Sequence, residues 1–201
     1  MKLYYGPGSC ALSPHIVLRE AGVRFDLVKV AMKTHTLADG SDFYAINPKG
    51  YVPVLELDNG QRLTEGTAIV QYIADHAPAS GLAPPAGTME RYRLMEWLNF
   101  ISTEVHKQFS PLFNAALSDE VKKIFADKIR SRLQWIDRQL AGCDYLMGER
   151  FCVADAYLFT VTGWAPRVGV PMDDFANLVA WRARVGARPA VQEAMQVENA
   201  K

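Results

Sequence analysis

The chain has 201 residues, 49% hydrophobic and 22% charged, which fits a soluble globular protein with room for one large domain or two small ones. Its 22 basic and 22 acidic residues cancel, so no overall charge draws it to nucleic acid or to an anionic membrane. No apolar run approaches the roughly 20 residues of a membrane span, and the amino terminus, MKLYYGPGSC, has no stretch of signal-peptide length.

KLYY (2–5) and FDLVKV (25–30) predict strands, with SPHIVLREAG between them predicting a helix that stops at Gly22. The segment 35–50 is polar and turn-rich, with room for one short helix. VPVLEL (52–57) and QRL (61–63), joined by the turn residues DNG, predict a hairpin. TEGTAIVQYIADHAP (64–78) then places Ile69, Val70, Ile73 and Ala77 at helical spacing. A β-α-β unit, a hairpin and a helix make an α/β domain over residues 1–78. PASGLAPPAG has the composition of a linker, placed at 79–87.

From residue 88 to 201 the pattern is all-helical. Leu94, Leu98, Ile101, Val105 and Leu112 mark one face of a long helix. Asp119 to Leu140 repeats the pattern through Val121, Ile124, Ile129, Leu133 and Ile136. The apolar run 153–165 predicts a helix buried on most sides, and 179–185 and 189–195 predict two shorter ones.

Three cysteines, Cys10, Cys143 and Cys152, form neither a paired framework nor a metal-ligand spacing. No metal site is therefore expected, and a reducing, cytoplasmic setting is. Cys10 follows a Gly/Pro turn at a helix start, capped by Ser9, or by Ser13 with Pro14 as first helical residue. There the helix dipole would favour a thiolate, although a small packed cysteine fits the same position. Cys143 and Cys152 read as packing residues. Pro53 stands where a strand should begin. A cis bond there would free the Val52 main chain to pair with an extended peptide, whereas an ordinary edge-strand proline would not. Glu65 precedes a helix whose free N–H groups can hold a carboxylate, and its own charge could meet an ammonium or merely complement the dipole. A zwitterionic amino-acid group would suit both.

Taken together, GPGSCALSPHIVLRE, NPKGYVPVL, LTEGTAIVQYIAD, WLNFISTEVHKQFSPLF and FCVADAYLFTV resemble the glutathione transferases, specifically the bacterial beta class, over nearly the whole chain. The resemblance implies an α/β plus all-α fold, a thioredoxin-like amino-terminal domain followed by a helical one, a homodimer, and glutathione as cosubstrate. By position, Cys10 matches the residue that forms a mixed disulfide with glutathione. Val52 and Pro53 match the main-chain dock for its cysteinyl part, and Glu65 with Gly66 the γ-glutamyl site. Asn99, Thr103, Glu104, His106 and Lys107 match positions on the first long helix that close the site, with Asn99 and Glu104 near the two-fold mate. His106, Ser110 and Phe113 share one face by α-helical spacing.

Three departures from the class pattern stand out. His35 replaces a common lysine for the glycyl carboxylate, a contact that could pass to Lys33. Ala11 replaces a common serine. Cys152 replaces the Ser or Thr cap of the helix holding Asp155, a loss of about 1 kcal/mol.

The implied mechanism holds the glutathione thiol as a thiolate that attacks a small apolar electrophile, with Cys10 and His106 as the catalytic residues. Lowering a thiol from about 8.5 by two pH units takes roughly 2.7 kcal/mol of differential stabilisation. The electrophile is expected between the domains, against Phe109, Phe113 and Trp164. Detoxification is the role this implies. A monothiol oxidoreductase or peroxidase using Cys10, and a non-catalytic carrier of apolar ligands, are the alternatives.

Overall fold

The computed structural model describes residues 1–199, in two units. One is Met1–Ala83 together with the chain from Pro189 onward; the other is Pro84–Arg188.

The first unit runs β1 (Lys2–Tyr5), α1 (Leu12–Glu20), β2 (Asp26–Lys29), β3 (Val54–Glu56), β4 (Arg62–Thr64) and α2 (Gly66–His76). A 3-10 turn, Phe43–Ala45, is the short helix expected between the halves. The sheet order is β2-β1-β3-β4. β1 runs parallel to β2 and antiparallel to β3, which pairs antiparallel with β4. This is the thioredoxin-like arrangement. Leu3 sits between Leu27 and Leu55 across the sheet. Leu3, Leu55, Ile16, Leu18, Ile69 and Ile73 are fully buried, each contributing roughly 1.5–3 kcal/mol relative to exposure.

Helix α8 (Pro189–Asn199) groups with this unit, whereas the sequence pattern placed residues 88–201 together as one helical domain. The reason is a buried polar link to α1. The His15 Nδ1 lies 3.0 Å from Glu198 Oε1, and Arg19 Nε donates to His15 Nε2 at 2.9 Å. Because a guanidinium only donates, the ring accepts at Nε2 and presents its hydrogen at Nδ1 to the carboxylate. Arg19 also reaches Glu193 at 2.9 Å.

The second unit contains α3 (Met89–Phe100), α4 (Lys107–Phe109), α5 (Asp119–Gln139), α6 (Val153–Thr162) and α7 (Ala176–Gly186). Thr88 caps α3 through the Arg91 N–H, and Ser118 caps α5 through the Val121 N–H. All ten residues of α6 are buried. The long first helix is not continuous. Between α3 and α4 the chain widens into a π-helix, Ile101–His106, and after α4 it tightens into a 3-10 turn, Ser110–Phe113. Thr103 Oγ1 donates to the Asn99 carbonyl at 3.1 Å, and Gln108 Nε2 to the Thr103 carbonyl at 3.4 Å. Both bonds compete with the regular ladder, and Pro111 cannot continue it. On α5 the apolar stripe holds for Ile129, Leu133 and Ile136, whereas Ile124 is exposed.

Candidate active site

Cys10 lies in the turn before α1, and the turn geometry overturns the expected cap. The helix begins at Leu12 with Ala11 at its N-cap and no side-chain bond. Ser9 Oγ accepts from the Ala11 N–H at 3.2 Å, one residue too early to cap. Ser13 Oγ is buried without a partner. The Cys10 thiol points instead at the Val52 carbonyl, 3.5 Å away. Desolvation of the sulfur, with the carboxylates of Glu65 and Glu198 adding to it, pushes the thiol up to about 11 against the opposing pull of its own N–H. Burial thus favours the protonated S–H donor over the thiolate that a helix start alone would favour.

The Val52–Pro53 peptide bond is cis, and both residues are buried. The turn leading into it is held by buried Asn47. Its Nδ2 donates to the Tyr51 carbonyl at 2.7 Å, and its Oδ1 accepts from the Lys49 N–H at 3.2 Å. Gly50 adopts φ +70, and a Cβ there would lie 2.7 Å from Tyr44 Cε1. Glu65 stands at the N-cap of α2 with φ +69, an uncommon conformation for a non-glycine residue. Its side chain makes no cap bond; it is exposed and accepts from Lys49 Nζ at 2.7 Å. Gly66 begins the helix, 3.9 Å from the Pro53 ring when a Cβ is added. His35 also has positive φ and stacks on Tyr44 with ring centroids 4.7 Å apart. Its Nδ1 is buried without a partner, while Lys33 is exposed in the same turn. The first unit thus gathers Cys10, Val52, Pro53, Glu65 and Gly66 around the end of β3, with His35 set beside Tyr44.

In the second unit, three rings from the end of the π-helix and the turns after it converge on one tryptophan. His106, Phe109 and Phe113 all turn their rings to Trp164, at centroid distances of 4.9, 5.7 and 6.1 Å. Ser110, at the start of the 3-10 turn, is exposed. Phe109 is fully buried and Trp164 nearly so, which makes them core; Phe113 is 52% exposed and remains available. His106 Nδ1 lies 2.7 Å from the Tyr157 hydroxyl. Burial, with Lys107 as a smaller cause, lowers the imidazole to about 4, so it is neutral across the physiological range. Glu104 is not paired with Lys107. Arg132 Nε and Nη2 each reach its Oε2 at 2.9 Å, beside a groove of about 480 Å³ that Phe100 and Trp135 also line. Asn99, Thr103 and Lys107 are exposed.

The start of the helix at Cys152 is held by Asp155 from inside the first turn. Asp155, buried at N3 of α6, accepts from the Cys152 N–H at 2.9 Å and the Cys152 S–H at 3.1 Å. It also accepts from the Leu146 N–H at 3.0 Å and Trp181 Nε1 at 2.9 Å. Burial raises the carboxyl while these donors hold it down. Cys143, expected to pack, is exposed. Sequence reasoning passed over Lys49, Tyr44, Tyr157 and Arg132. Lys49 and Tyr157 had a signal, lying within the quoted NPKGYVPVL and FCVADAYLFTV stretches. The others are brought in from distant elements.

Among the described residues no group of three or more His, Cys, Asp or Glu could hold a metal ion, and no helix is long and apolar enough to cross a membrane.

Two family models match the chain. One describes the glutathione S-transferase N-terminal domain, over residues 1–75, and the other its C-terminal domain, over residues 100–189. Glutathione S-transferase GstA of Escherichia coli O157:H7 is 44% identical over 201 residues, with 100% of each chain covered. A sphingomonad glutathione S-transferase solved in complex with glutathione is 46% identical, with TM-score 0.97 and 100% of both chains covered. The bacterial beta-class glutathione S-transferase of Sphingomonas chungbukensis is 45% identical, with TM-score 0.95 and 99% of both covered.

Proposed function

This chain belongs to the glutathione S-transferase family, in its beta class, and from that premise we propose that it conjugates glutathione to small apolar electrophiles. The observation that carries the reading is the grouping around the end of β3. Val52 offers main-chain groups beside cis-Pro53, and exposed Glu65 stands at the open end of α2. The N–H groups at Gly66 and beyond would hold the γ-glutamyl carboxylate, Glu65 its ammonium, and Val52 the cysteinyl main chain. His35 would meet the glycyl carboxylate. The complex of the sphingomonad relative with glutathione supports this ligand.

The nucleophile in this reading is the thiol of glutathione. It gives up its proton, and the resulting thiolate forms a carbon–sulfur bond as the electrophile's leaving group departs. Cys10 contributes as a hydrogen-bond donor, because a thiol raised to about 11 stays protonated at neutral pH. That weighs against a disulfide cycle on Cys10, which needs its thiolate. His106, neutral at this pH, serves as a hydrogen-bonding group, not as a charged one. Exposed Phe113 offers an apolar surface for the electrophile. The reading includes a cytoplasmic, detoxifying homodimer in which Asn99 and Glu104 serve the partner's glutathione; sedimentation showing an active monomer would remove that part.

The test is conjugation of a chloronitroaromatic together with calorimetry of glutathione binding. Glu65→Gln should weaken binding roughly ten- to hundredfold, the loss of one charge-assisted hydrogen bond, with little change in kcat. An unchanged Kd with the fold intact would remove Glu65 from the site.

A further inference from the structure

Glu65 already holds a cation. Lys49 Nζ lies 2.7 Å from Glu65 Oε1 and 3.0 Å from Thr64 Oγ1. Both side chains are exposed, but the backbone that carries each of them is held in place. Glu65 is fixed by its φ of +69 and by its carbonyl, which accepts from the Ala68 and Ile69 N–H groups at 3.0 Å each. Lys49 is fixed by the Asn47 turn, where the Gly50 N–H also donates to the Asn47 carbonyl at 2.9 Å. That turn runs on through Tyr51 into Val52 and cis-Pro53. The segment that presents the Val52 main chain to a peptide therefore also delivers an ammonium onto the carboxylate that would receive the peptide's own.

We propose that Lys49 is an internal counter-ion of Glu65 that competes with the γ-glutamyl ammonium, and so sets the affinity for glutathione. The inference rests on the reading that Glu65 binds that ammonium. Two ammonium groups at one carboxylate repel, and each donates to the same few lone pairs. For the ligand to gain its full charge-assisted bond, Lys49 must withdraw toward solvent. Its side chain is 51% exposed, so it can. An exposed pair of this kind is weak, which makes Lys49 a modest, displaceable competitor that does not block the site.

The experiment is calorimetric titration of the full chain with reduced glutathione. Lys49→Met should tighten binding about 1.5- to fivefold, the range an exposed ion pair converts to, while Lys49→Arg stays near the parent. In a Glu65→Gln background, Lys49→Met should change nothing further, because the competition acts only through that carboxylate. Glutathione acetylated on its amine should bind with an affinity insensitive to Lys49→Met. High salt should narrow the gap between parent and Lys49→Met. Weaker or unchanged binding of glutathione by Lys49→Met overturns the proposal. If Glu65→Gln weakens binding and Lys49→Met does not tighten it, the counter-ion role alone fails. If Glu65→Gln has no effect, the placement of the ammonium fails with it.

Discussion

Around residues 10, 52 and 65 the groups that could meet a peptide are mostly main-chain atoms on turns, held by a cis bond and by positive φ at His35, Gly50 and Glu65. Around residues 106, 155 and 164 the organising groups are side chains on helices, buried and bonded to partners tens of residues away. Two cysteines mark the contrast. Cys10 gives its S–H to a carbonyl at the edge of a turn, and Cys152 gives its own to a buried carboxylate. Both thiols are raised by burial, yet one faces the proposed ligand and the other holds a helix start. The contrast teaches where each region is vulnerable. The first fails when the backbone changes conformation, and the second when a buried acceptor is removed.

The largest expected effect is on the helical region. Asp155→Ala strips an acceptor from four buried donors, each costly when unsatisfied, and should destabilise the protein by at least about 3 kcal/mol in urea denaturation. A loss under about 1 kcal/mol would mean that water or another group takes over. Next comes the turn region. Gly50→Ala forces a Cβ into the left-handed conformation, costing about 1–2 kcal/mol, and presses on Tyr44. It should weaken glutathione binding along with stability, whereas Asp155→Asn should spare binding in whatever fraction folds.

Smaller effects separate the regions by pH. His106 takes a proton near 6.5 when unfolded but only near 4 when folded. Between those values the unfolded chain binds more protons, so stability falls as pH drops through the window. His106→Gln should flatten that fall in urea midpoints measured from pH 7 to 4. Cys10 gives the opposite leg. Unfolded, it ionises near 9, and folded near 11, so stability is lost as pH rises across that interval. Cys10→Ala should flatten the alkaline fall. At neutral pH, iodoacetamide should label exposed Cys143 ahead of Cys10 in peptide maps; the reverse order would restore a thiolate at Cys10.

The sequence by itself determined the alternation of elements, because period-two and period-3.6 patterns and turn residues are local properties. The strands at 2–5, 26–29, 54–56 and 62–64 could be read from neighbours a few residues apart. The Cys10, Val52–Pro53 and Glu65 stretches were legible for the same reason, each being a short segment with its own backbone signature. Only the tertiary structure decided the rest. It set the protonation of Cys10, since desolvation comes from chain far away in sequence. It widened the helix after Phe100 into a π-turn, where the Thr103 and Gln108 side chains bond main-chain carbonyls while Ile101 and Val105 stay buried. It joined α8 to α1 through His15 and Glu198, a pair 183 residues apart whose attraction no local window contains.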